Sequence, residues 1–137
     1  MAIYSLGLMG LVLDDVTPAV RDHIYVISLA VLEESKVHVD QSVTQQASNV
    51  IYGLAKMGAK YKQLPMHVVT GIKEGIIHAM GSMNEQEVAN TIYSLGIMGA
   101  SWVDLSQEIK DVLCRMAIVR FPQMIPQGTV YSYMSSR

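Results

Sequence analysis

The residues with the most reactive chemistry in this 137-residue chain are four histidines and one cysteine. Their spacing assembles no site. His67 and His78 are eleven residues apart. On one helix they share a face three turns apart, too distant for one metal ion, and His23 and His38 have no partner at ligand spacing. Cys114, between Leu113 and Arg115, reads as a buried packing thiol, since no Cys–His–Asp pattern accompanies it. Asp14–Asp15 and Glu33–Glu34 fall at helix ends, as acidic loop residues do. Each Met-Gly pair ends a helix and does not open one, so no glycine loop cradles a phosphate. The expectation is a protein that is not an enzyme and takes no metal or cofactor.

What remains is the chemistry of binding. Lys56, Lys60 and Lys62 form the only local basic cluster and are the candidate phosphate contact. Arg115 and Arg120, on a later helix, are candidates to extend it. Against this stands the ordinary solvated face. Tyr4, Tyr52 and Tyr93 could stack on bases, but packing between structural units is the simpler account of them. Asn49 and Asn90 recur with the tyrosines and are expected to bond to backbone between helices, because buried amides need partners. A residue identical in every unit cannot tell one nucleotide from another. Leu8, Lys56 and Ile97, and likewise Ser48 and Ala89, vary at equivalent places and are the better candidates for readout.

These residues recur because the text around them recurs. VANTIYSLGIMGASWVDL at 88–105 is repeated as NVIYGLAKMGAKYKQL at 49–64 and AIYSLGLMGLVLDDV at 2–16, with a degraded TVYSYM at 129–134. Tyr4, Tyr52, Tyr93 and Tyr131 mark intervals of 48, 41 and 38 residues. A period of this length is the signature of stacked repeats. The units fall at about 1–15 (partial), 16–63, 64–104 and 105–137 (partial).

Each unit divides into two helices, one carrying the tyrosine and one following it. The tyrosine helices are expected at 1–9, 43–57 and from Asn84 to Gly99, with glycine in the left-handed cap position after each. Asn84 and Glu87 form a capping box. The partner helices begin after Thr17 with Pro18 at the first position, at Pro65, and after Ser106. They are expected to run to about Glu34, 80 and 120. The linker 35–41 is assigned the extra length of the first interval. Val20, Ile24, Ile27 and Val31 form one helical stripe; Ala47/Val88, Ile51/Ile92 and Leu54/Leu95 form another. Gly71 and Gly75 either weaken their helix or let a neighbour approach. Leu13, Tyr61 and Trp102, three residues after each cap glycine, are expected to plug the gap between units. Pro122 stops the sixth helix and Pro126 starts a seventh. The fold class is all-α, a right-handed α-solenoid of about seven helices with no strand. Each helix pair is too short to bury its apolar face alone.

The bulk composition is consistent with this and adds limits. Half the residues are hydrophobic, ample for a core and incompatible with disorder. A single cysteine forms no internal disulfide, which points to a reducing compartment. The longest apolar run, around Ile24–Leu32, is about nine residues, short of the roughly 20 that span a bilayer. The net charge of −2 lacks the basic footprint usual for nucleic-acid binders. It is uneven, however. Residues 11–48 carry two basic and six acidic side chains, net −4, whereas 49–89 and 90–137 each carry four and three, net +1. MAIYSLGLMGLVL has the look of a signal-peptide core, but it has no basic leader and matches the later repeats. The chain is therefore expected to be a fragment of a longer array, with both ends exposing stripes meant for neighbours.

ANTIYSLGIMG at 89–99 and SNVIYGLAKMG at 48–58 resemble the A-N-x-L-W-A-L-A-K-L-G signature of octotricopeptide repeats, which is related to helical repeats of FAST-kinase-like and RAP-domain organellar proteins. Tyrosine stands here at the signature tryptophan, and the repeat lengths are unequal. The resemblance implies binding of single-stranded RNA in a mitochondrion or plastid (chloroplast), acting in transcript stability, splicing, processing or translation. A protein–protein scaffold of armadillo/HEAT type is the alternative, for which an acidic balance is no handicap.

Overall fold

The structure is a computed structural model and describes residues 2–37 and 40–120. Among these the chain is all-helical: α1 (Ala2–Leu8), α2 (Pro18–Val37), α3 (Gln41–Lys56), α4 (Met66–Ala79), α5 (Glu85–Ile97) and α6 (Gln107–Arg120). Short 3-10 turns lie at Leu13–Asp15, Tyr61–Gln63, Met80–Ser82 and Trp102–Asp104. The expected seventh helix, from Pro126, lies outside the described residues.

Local chemistry sets the boundaries. The Thr17 hydroxyl accepts the Val20 N–H at 3.3 Å, and the Asp40 carboxylate accepts that of Val43 at 3.0 Å. At α5 the capping box is complete: Glu87 N–H donates to the Asn84 side chain at 2.8 Å, and Asn84 N–H to the Glu87 carboxylate at 3.0 Å. The three tyrosine helices end alike. Gly10, Gly58 and Gly99 adopt φ of 96°, 86° and 78°, a region costly for any residue with a Cβ. This lets the N–H groups of Leu11, Ala59 and Ala100 reach back to the carbonyls of Leu6, Leu54 and Leu95 at 3.1, 3.0 and 3.0 Å. That bond, with the glycine N–H bonding three residues back, is the Schellman closure.

The helices form two layers. α1, α3 and α5 lie side by side in chain order, and α2, α4 and α6 do the same, with α2 also packed on α3. One apolar core runs between the layers, and its centre is fully buried: Ile51, Leu54, Met57, Ile72, Ile76 and Met80. The repeat is visible in the backbone. The Leu13 N–H donates to the Met57 carbonyl and the Tyr61 N–H to the Met98 carbonyl, both at 2.9 Å. Each plug residue is thus tied to the same position in the next unit. Leu13 and Tyr61 are buried as expected; Trp102 is 36% exposed and is not a filled plug among the described residues. Burial raises the Tyr61 hydroxyl pKa above its usual value.

The first interval is long because α2 is long. α2 has 20 residues and α4 has 14, which accounts for six of the seven extra residues. The helix does not stop at Glu34. Its last turn is held by Lys36, which pairs with Glu33 at 3.0 Å and with Glu74 of α4. That pairing draws the Glu74 carboxyl below the usual range. The buried stripe of α2 is also one residue off the apolar one expected. Ile24, Ser28, Leu32 and Ser35 face inward, whereas Val20 is exposed. The two serines are tolerated there because their hydroxyls donate to the carbonyls of Ile24 and Leu32, at 2.8 and 2.6 Å. Gly71 and Gly75 serve close approach: a Cβ on either would meet the side chain of Leu29 or Leu32 of α2.

α3 and α5 are joined by a polar seam as well as an apolar one. Glu87, 6% exposed, accepts from the Gln41 amide at 2.8 Å and from the Thr44 hydroxyl at 3.5 Å. Its backbone carbonyl accepts from Ser48 and Thr91 at 3.2 and 2.8 Å. α1 and α3 meet differently, through Gly7 and Gly53, with no room for a Cβ on either.

Candidate nucleic-acid interface

The repeat places a row of like residues on the outer surface of the α1/α3/α5 layer. On α3, Gln45, Asn49, Tyr52 and Lys56 are spaced by four, three and four residues and share one face. On α5 the equivalents are Gln86, Asn90, Tyr93 and Ile97. Tyr4 and Leu8 continue the row on α1. Tyr93 is 61% exposed, while Tyr4 and Tyr52 are half-buried, partly against each other, with ring centroids 5.8 Å apart at 36°. Tyr4 and Tyr52 therefore pack against each other, and all three tyrosines still present ring surface to solvent.

Among the described residues Asn49 and Asn90 do not bond to backbone between helices. Both are half-buried, and neither side chain makes a hydrogen bond among the described residues. The face they occupy is open to water, so burial never obliges them to find a protein partner. Their carbonyl and amide groups remain available to a ligand. Of the positions that vary, Leu8, Lys56 and Ile97 all lie exposed, four residues beyond each tyrosine. Ser48 is buried in the seam with Glu87 and is not a surface position, although its counterpart Ala89 is exposed.

The charges are sorted between the two layers. α1 and α3 contain no acidic residue, and α5 exposes Glu85 alone, Glu87 being buried. The other layer carries Asp22, Glu33 and Glu34 on α2, Glu74 on α4, and Glu108 and Asp111 on α6. A net charge of −2 thus coexists with a surface of neutral to weakly basic character.

Lys56 and Lys60 flank the glycine cap of α3, both exposed and without a carboxylate partner among the described residues. Lys62 sits on the next turn but pairs with Asp104 at 3.4 Å. The Ser101 hydroxyl, with Lys62 adding to it, holds the Asp104 carboxyl below its usual range. The three lysines are thus two free cations and one engaged in joining units. Arg115 is exposed on α6, in the other layer. Arg120 is the last residue of α6.

Gln45 and Gln86 are missing from the residues singled out in the sequence. The signal was there: they recur at the same 41-residue interval as Tyr52 and Tyr93, seven residues before each. Among the described residues no group of His, Cys, Asp and Glu could hold a metal ion, and no helix is long and apolar enough to cross a membrane. Cys114 is buried.

The chain is an all-α protein of paired, layered helices. No family model matches it, and neither a curated protein nor a solved structure is significantly similar to it.

Proposed function

We propose that this chain is part of an octotricopeptide-like α-solenoid that binds single-stranded RNA without catalysis, in RNA processing, stability or translation within a mitochondrion or plastid. The observation that carries the reading is the repeated Gln–Asn–Tyr row on a surface almost free of acid. Tyrosine rings offer base-stacking platforms that tolerate any sequence. Unpaired amides beside them can bond to base edges. Lys56 and Lys60 supply phosphate contacts at one edge of the row. The residue four beyond each tyrosine changes from Leu8 to Lys56 to Ile97, which gives each unit a different neighbour for the base it stacks.

Phosphate contacts release counterions, so affinity for a single strand falls with salt by a log–log slope of about −0.7 per contact. Fluorescence anisotropy with a labelled single-stranded RNA should show this dependence for the full chain. The double variant Lys56→Glu, Lys60→Glu is expected to weaken binding at least tenfold at low salt and to flatten the slope by about 1.4, two contacts' worth. Unchanged binding by that variant removes the lysines from the interface. Capture of a protein partner with little salt dependence, and no RNA binding, would favour the armadillo/HEAT-like scaffold.

A further inference from the structure

The edge of the molecule formed by α1 and α2 exposes residues whose counterparts are buried in both later units. Met9 is 81% exposed, whereas Met57 and Met98 are 0% and 1% exposed. Val20 is 46% exposed, against 0% for Val68 and 2% for Ile109. Ala2 and Ser5 are exposed as well, while the equivalents of Ala2 (Val50, Thr91) and of Ser5 (Gly53, Ser94) are buried. Places of this kind face the preceding helix of their own layer. A Cβ on Gly53 would meet Ile3 of α1, and the Thr91 hydroxyl reaches that of Ser48 on α3 at 3.5 Å. In the other layer, Cβ atoms on Gly71 and Gly75, at the places of His23 and Ile27, would meet Leu29 and Leu32 of α2. The exposed edge is therefore the repeat's own packing surface, and it continues the interfaces that α3 makes with α1 and α4 with α2.

We propose that this edge is the contact between two copies of the chain, in a closed dimer whose twofold axis stands normal to the two layers. Adjacent helices of a layer run parallel, because the Leu13 N–H that follows α1 reaches the Met57 carbonyl at the end of α3. A twofold copy sets α1 antiparallel to its partner and α2 likewise, so each layer continues from one copy into the other. The stripe on α1 complements itself in that arrangement. Ser5 lies at the axis, and Met9 of either copy falls against Ala2 of the other, a long side chain over a small one. On α2, Val20 falls in the same way against Ile27, with His23 between them. α1 carries no charged side chain, so nothing on this helix repels its copy, and methionine adapts readily to an opposing surface. One surface used twice closes the assembly, whereas head-to-tail stacking of copies is an open series. This inference goes beyond RNA binding and does not depend on it.

Sedimentation velocity of the full chain should show a mass that rises with concentration from 15.1 kDa to twice that value and no further. Ser5→Arg sets two cations face to face at the axis and should raise the dimer dissociation constant at least tenfold. Met66→Arg, at an exposed position on α4 away from this edge, should leave it unchanged. Far-UV circular dichroism checks that both variants keep their helices. Ser5→Cys supplies a second measurement. Only across a twofold does residue 5 meet itself, so oxidised glutathione should link two Ser5→Cys chains through a disulfide and leave the parent, whose Cys114 is buried, unlinked. A monomer at every concentration overturns the proposal, as does an equal dissociation constant for the parent and Ser5→Arg. Masses beyond the dimer, with no linkage through Ser5→Cys, give the edge to head-to-tail stacking and overturn the twofold contact.

Discussion

Gly53→Val should destabilise the chain by about 3 kcal/mol, the upper part of the range for overpacking. A Cβ at Gly53 would stand 2.6 Å from the Ile3 carbonyl oxygen and 2.8 Å from its carbonyl carbon. Those atoms are backbone of α1, and they cannot rotate away as a side-chain tip can. Relief requires the whole of α1 to retreat, which uncovers Ile3, at present fully buried. Even alanine, which gains about 1 kcal/mol of helix propensity over glycine, meets the same clash. Gly71→Ala is the comparison. Its Cβ meets the flexible end of the Leu29 side chain, so its loss should be much smaller. Urea denaturation of the three chains measures both differences, and equal stability of Gly53→Val and the parent would refute the close approach of α1 and α3.

Glu87→Ala should cost a similar amount, about 3 kcal/mol, by a different route. The substitution removes half of the capping box, worth about 1 kcal/mol, and strands the Gln41 amide that the carboxylate now accepts at 2.8 Å. A hydrogen bond to a charged acceptor of this kind contributes roughly 1.5–3 kcal/mol. Glu87→Gln keeps the shape and most of the acceptors, so it should retain the larger share of the stability. Thermal or urea unfolding separates the two. A loss for Glu87→Ala within the roughly 0.5 kcal/mol of an ordinary surface change would mean that the α3–α5 seam is apolar packing alone.

Sequence reading reached the helices through their caps. Thr17, Asn84 and Ser106 at the starts and Gly10, Gly58 and Gly99 at the ends are local signals, set by hydrogen bonds within a few residues. The α2 C-terminus escaped because its last turn is held by a contact from another helix, Lys36 to Glu74, and no local pattern encodes that. The buried serines of α2 escaped for a related reason. Ser28 and Ser35 look polar in a list of residues but satisfy themselves on their own helix, and the stripe rotates accordingly. The surface was legible in part. Recurrence found Tyr52, Tyr93, Asn49 and Asn90, yet recurrence alone points to packing, and only exposure separates a packing residue from a presented one. Lys62 shows the converse: identical in type to Lys56 and Lys60, it is committed to Asp104 across units, a pairing 42 residues distant in sequence. Trp102 holds the plug position after Gly99, yet it is 36% exposed, and burial is not a property that a place in the repeat encodes.

On the proposed function, an RNA strand lies along the tyrosines of the exposed face of α1, α3 and α5. Photocrosslinking of the full chain to a single-stranded RNA containing 4-thiouridine, followed by peptide mapping, tests it most directly. Saturable adducts are expected on peptides carrying Tyr4, Tyr52 and Tyr93. Adducts confined to α2, α4 and α6, or none that compete with unlabelled RNA, would contradict it.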